Sequence, residues 1–151
     1  MQKDKRLYQL AESVLKNSVK LKKGERIYIE AFGPTVLGLM EIFIQKATEM
    51  GGVPFYFYND EHLLKAVIDN ASEEQMKEFG AVYQKQMADS DVYIALRGYD
   101  DIFALSDVNE RQMALYMQHY FNPVHRSTRV PNTRWCVMRY PNMAVSYTHL
   151  R

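Results

Sequence analysis

One cysteine and one tryptophan stand in a chain of 151 residues, and no run of apolar residues is long enough to span a bilayer. Cys136 has no second thiol within the chain to pair with, so no internal disulfide staples the fold. The first ten residues, MQKDKRLYQL, lack the apolar stretch of a secretory signal. Together these absences lead us to expect a cytoplasmic protein with no membrane partner. Acidic residues are missing from one part of the chain altogether. Residues 1–110 hold all 18 acids and 13 of the 19 Lys and Arg, whereas Arg111 to Arg151 carry six arginines and no acid. The total charge of +1 therefore hides a split of −5 against +6. Such a split fits a nucleic-acid surface, an acidic partner that is absent, or arginines scattered over a solvated face.

What is present is regular. Hydrophobic residues make up 47% and charged residues 25%, enough apolar surface for a single packed core. Leu7, Leu10, Ala11, Val14 and Leu15 recur at helical spacing and predict a helix over 5–18. RIYIEA (26–31) reads as a strand, and Gly33-Pro34-Thr35 opens a helix with Val36, Met40, Phe43, Ile44 and Ala47 on one face. VPFYFY (53–58) is continuously apolar, the signature of a strand covered on both sides. A short helix is expected over 61–70, and Ser72 with Gln75 forms a capping box for a longer one ending near Ala88. DVYIALR (91–97) is a third strand. Asp107 with Glu110 is expected to cap a further helix, Pro123 and Pro131 to bound an irregular connection, and RWCVMRY (134–140) to form a fourth strand. Strands alternating with helices predict an α/β fold: a three-layer open sheet of about four mainly parallel strands with helices on both faces.

Ligands of such sheets bind beyond the carboxyl ends of the strands. No GxGxxG or GxxxxGK[ST] occurs there, so nucleotide binding has no support beyond topology. Asp60, Glu61, Asp100 and Asp101 are placed to gather around a cation, although turn chemistry accounts for Asp at such positions equally well. His119 and His125 are six apart, not a metal-ligand spacing, and read as surface or packing residues; His62 stands alone at a helix start. Cys136, mid-strand, reads as a buried inert thiol. Arg126, Arg129, Arg134 and Arg139 are candidates for a phosphate path, but no RNA- or DNA-binding motif accompanies them, and the acidic first two-thirds argues against nucleic acid. No catalytic, cofactor-binding or metal-binding residue is assigned on these grounds.

The joined pattern says more. LAESVLKNSVKLKKGERIYIEA, followed by DVYIALRGYDDIFALSDVNERQMALYMQHYFNPVHRSTRVPNTRWCVMRYPN, resembles the N-terminal domain of the M29 aminopeptidases over residues 5–144. The most specific pieces are LKKGERIYIEA, ALSDVN and TRWCVMRYPN ahead of Met143-Ala144. The resemblance implies a parent chain of roughly four hundred residues in two domains, a homodimer acting on peptide substrates. It also implies a divalent metal pair, of zinc, cobalt or manganese type, held by Glu, His and Asp of a C-terminal catalytic domain. None of that family's metal motifs matches a position here, so the resemblance carries over no catalytic residue. It gives the +6 segment a candidate partner, acidic groups of that second domain. On this reading residues 1–144 are the N-terminal α/β domain of a truncated parent, poorly stable or aggregating alone because packing faces are exposed. Residues 145–151, VSYTHLR, match at every codon one reading frame of a sequencing-library transposase adaptor and are expected to be an artefact. The alternative is a free-standing α/β module that holds a small polar ligand with Arg97, Asp100 and Asp101.

Overall fold

The computed structural model describes residues 4–98 and 104–139. Helix α1 (Lys5–Ser13) is capped by Asp4, whose carboxylate accepts from Arg6 N, and runs on through a wider turn over Val14–Ser18. Strand β1 (Arg26–Phe32), a short tight turn over Pro34–Val36, helix α2 (Leu37–Glu49) and strand β2 (Val53–Asn59) follow. Next come α3 (Glu61–Asn70), α4 (Glu73–Ala88) and β3 (Val92–Arg97). Helix α5 (Glu110–Tyr116) passes directly into a wide helix (Met117–Arg129), which a last turn (Val130–Asn132) connects to β4 (Arg134–Arg139).

The four strands are all parallel, in the order β2-β1-β3-β4. Alternation along the two central strands sorts the core into two layers. Ile27, Ile29 and Ala31 of β1, with Val92, Ile94 and Leu96 of β3, pack against α1 and α2. Tyr28, Tyr93 and Ala95 face the other way, toward Met87 of α4 and Val124 of the wide helix. This is the expected α/β arrangement with helices on both faces of a parallel sheet.

Three local expectations are corrected. VPFYFY is not covered on both sides: β2 is an edge strand, none of its residues is buried, and Tyr56 is 63% exposed. Its apolar run is more continuous than that of β1, which holds Glu30, yet β1 and β3 are the strands with a neighbour on each side. The cap of α5 is Asn109, whose Oδ1 accepts from Gln112 N at 2.8 Å, while Asp107 lies 3.3 Å from Lys65 Nζ. Pro123 does not bound an irregular connection but sits inside the wide helix. There the backbone bonds reach five residues back, as from Val130 N to His125 O. Proline has no N–H to give and its ring crowds the preceding turn, so a widened helix accommodates it where a regular one would break.

The capping box of α4 is formed in both directions: Ser72 Oγ accepts from Gln75 N at 3.1 Å, and Gln75 Oε1 accepts from Ser72 N at 2.9 Å. Ser72→Ala is expected to lower stability by about 1 kcal/mol, read as a shift of the urea midpoint. An unchanged midpoint would show that solvent satisfies these end groups as well as the box does.

Candidate site at the carboxyl ends of the strands

The order β2-β1-β3-β4 puts the switch in winding direction between β1 and β3, where open parallel sheets form a crevice. Phe32 ends β1 and Arg97 ends β3, and Gly98 N donates to Phe32 O at 2.7 Å to hold the two ends together. A Cβ on Gly98 would lie 2.4 Å from Thr35 Oγ1, so this approach requires glycine.

A cavity of about 240 Å³ opens here. Phe32, Arg97 and Arg139 line it from the strand ends, and Glu61 from the start of α3. Tyr116, Tyr120, Phe121 and His125 close it from α5 and the wide helix. Tyr116 and Tyr120 stack with ring centroids 5.2 Å apart, and Phe121 lies 5.1 Å from the His125 ring.

In the sheet layer nearby lies a polar cluster that sequence reasoning did not single out. Glu30, 1% exposed, accepts from Tyr93 Oη at 2.7 Å and from Asn59 Nδ2. Burial pushes its carboxyl up to about 7, against the hydrogen bonds from Tyr93 and Asn59 and the charge of Arg97. Burial likewise raises the Tyr28 and Tyr93 hydroxyls, with the charge of Glu30 adding to it. The signal was available: Glu30 is the one acid inside the strand RIYIEAF, and an acid at a central-strand position needs partners when it is buried.

His125 belongs to the same layer. Arg129 Nε donates to its Nδ1 at 2.9 Å, so in the neutral ring the proton resides on Nε2. Burial, then the charges of Arg129 and Arg97, lower its pKa to about 4. Arg129, itself buried, lies 4.6 Å from the Trp135 ring and 5.6 Å from that of Tyr93. This side chain thus locks the wide helix onto β3 and β4.

The other sequence candidates disperse. Asp60 is the cap of α3 and accepts from His62 N at 2.8 Å, as turn chemistry would have it; Asp100 and Asp101 lie outside the described residues. His119 lies 3.3 Å from Glu73 on α4, and His62 is exposed. Cys136 is half-buried rather than buried, and burial pushes its thiol up, away from a reactive thiolate. The four arginines do not line one path. Arg134, at the amino end of β4, donates to Val19 O at 2.7 Å and pairs with Glu25, Arg126 lies over Phe121, and Arg139 is at the opposite end of the strand.

The comparisons now place the chain. Residues 3–148 match the thermophilic metalloprotease (M29) family. The chain belongs to that family. The resemblance in its sequence to M29 proteins is thereby borne out. Among solved structures, AmpT from Thermus thermophilus has the same fold, with a TM-score of 0.65 at 16% identity over 90% of this chain and 36% of that one. The chain thus spans about a third of the length of that solved protein. No curated protein matches it in sequence.

M29 membership implies a metal, which makes the donors around the cavity worth testing for fit. Among the described residues no three His, Cys, Asp or Glu stand together as a ligand set. In the cavity, Glu61 and His125 share the walls with two arginines, and His125 Nδ1 is already engaged by Arg129. Among the described lining residues, one acid and one imidazole beside two guanidinium groups do not fit a pair of divalent cations. Among the described residues, too, no helix is long and apolar enough to cross a membrane.

Proposed function

We propose that residues 1–144 form the N-terminal α/β domain of an M29-type metalloaminopeptidase. The whole enzyme removes N-terminal residues from peptides by metal-assisted hydrolysis, acts as a cytoplasmic homodimer, and holds its divalent pair on a further, C-terminal domain. Residues 145–151, in our reading, are adaptor-derived and not part of the domain. The observation that carries this is the family match over nearly the entire chain, beside a likeness to AmpT that takes in only 36% of that protein. The described donors around the cavity, which do not fit a metal pair, are in keeping with chemistry placed elsewhere.

In this reading the described chain supplies structure and no reacting group. Exposed Tyr56, Tyr58 and Leu63, on edge strand β2 and on α3, are the kind of surface that packs against a further domain. The chain alone is expected to hydrolyse no aminoacyl p-nitroanilide with added zinc, cobalt or manganese. Metal-dependent turnover that EDTA abolishes would overturn the proposal. Sequencing the source locus across codon 144 provides the second test. An open frame continuing into spaced Glu, His and Asp ligands supports the reading, and a stop codon at that point defeats it.

A further inference from the structure

The cavity carries a charge arrangement that the M29 assignment does not use. Arg97 and Arg139 are directly paired across β3 and β4, and both line the cavity. Like charges opposite one another on neighbouring strands are unfavourable unless an opposite charge lies between them. Among the described residues neither arginine makes an ion pair, and Arg97 Nε is buried with no hydrogen-bond partner. A buried donor of this kind is costly to leave unmet, more so on a charged group. The acids nearby do not resolve it. Glu30 has one oxygen on Tyr93 and the other on Asn59. Among the described lining residues Glu61 is a single acid set against two guanidinium groups. His125 adds no charge, since its Nδ1 accepts from Arg129.

The geometry points to a binding site for a small monoanionic carboxylate with an aromatic or branched apolar body. Its carboxylate sits on Arg97 and Arg139, and its body lies against Tyr116, Tyr120 and Phe121. A planar carboxylate matches the guanidinium fork. Among the described residues that line the cavity, two arginines face one acid, which favours a single negative charge over the double charge of a phosphate. At about 240 Å³ the cavity falls short of the roughly 300 Å³ at which drug-sized sites begin, so it suits a molecule of amino-acid size. Two sources present this chemistry, a free carboxylic acid and the C-terminal residue of a peptide. The site does not depend on the peptidase reading, because it uses only residues of this chain.

Calorimetric titration of the full chain tests it with phenylacetate, N-acetyl-L-phenylalanine, the corresponding amide, glycyl-L-phenylalanine and inorganic phosphate. The acids are expected to saturate, and the amide to bind at least about ten-fold more weakly. Tighter glycyl-phenylalanine identifies peptide C-termini as the source, and phenylacetate equal to it or tighter identifies free acids. Arg139 is exposed, so Arg139→Met should leave the melt unchanged while weakening the acids about ten-fold, and Arg139→Lys should recover part of that. The acid-against-amide comparison needs no variant. Absence of saturable carboxylate binding, an amide as tight as its acid, phosphate tighter than the acids, or undiminished affinity in Arg139→Met would each overturn the assignment.

Discussion

Gly80→Ala is expected to unfold this protein or leave it several kcal/mol less stable. Gly80 lies where α4 meets the wide helix, and a Cβ there would be 1.9 Å from His119 O and 2.8 Å from His119 C. Both atoms are backbone, so no rotamer change relieves the clash, and the two helices must separate. The wide helix carries Tyr120 and Val124 into two of the core clusters and positions His125 and Arg129. Overpacking of a close contact costs about 1–3 kcal/mol where side chains can yield, and more where they cannot. Alanine's advantage over glycine inside a helix, about 1 kcal/mol, is too small to offset this. Gly38 in α2 is the control: a Cβ there meets nothing within 4 Å, and Gly38→Ala should stabilise by up to about 1 kcal/mol. Urea unfolding of both variants gives the comparison. A Gly80→Ala chain as stable as the parent would mean that the helices do not approach so closely.

The second large effect is a pair of opposed pH dependences. Glu30 titrates near 7 in the fold against an ordinary value of 4.5. Between those values the native state holds a proton that the unfolded chain has released, so stability falls as pH rises. His125 titrates near 4 against 6.5. Over that window the unfolded chain holds the extra proton, so stability falls as pH drops. Each contribution amounts to about 3 kcal/mol at full extent. In the parent the two slopes largely cancel from about pH 4.5 to 6.5.

Substitution separates them. In Glu30→Gln the histidine acts alone, and stability should climb by up to about 3 kcal/mol as pH rises through that interval. In His125→Asn, whose Oδ1 can still accept from Arg129, the carboxyl acts alone and stability should decline toward pH 7. The urea midpoint of each chain, measured at both ends of the window, gives the slopes. Parallel pH profiles for the parent and both variants would sink the assignment of these two groups as buried and oppositely shifted.

Much of the fold is legible in neighbouring residues. The strand and helix order, the capping box of Ser72 with Gln75, and the core positions Met40, Phe43 and Ala47 of α2 all follow from patterns a few positions long. Buried Leu39 and Ile42 are not among those expected. The M29 signature runs along most of the chain. The misreadings are equally particular. VPFYFY has the composition of a covered strand, yet β2 lies at the edge. Pro123 ends a helix of ordinary width but not a widened one. Asp107 and Asn109 are both good caps, and the choice between them rests on where Lys65 and Gln112 come to lie.

The sequence by itself determined the alternation of elements, the parallel sheet class and the family, because periodicity, caps and motifs are written in residues that are close along the chain. Only the tertiary structure decided which strands are central and what surrounds Glu30. It alone showed that Arg97 and Arg139 line one cavity with Tyr116, Tyr120 and Phe121. Those outcomes depend on partners far apart along the chain, as Tyr93 and Glu30 are at a separation of 63 residues. Burial, which sets both the cost of a charge and the need for its partner, is a property of the packed layers and of no single segment.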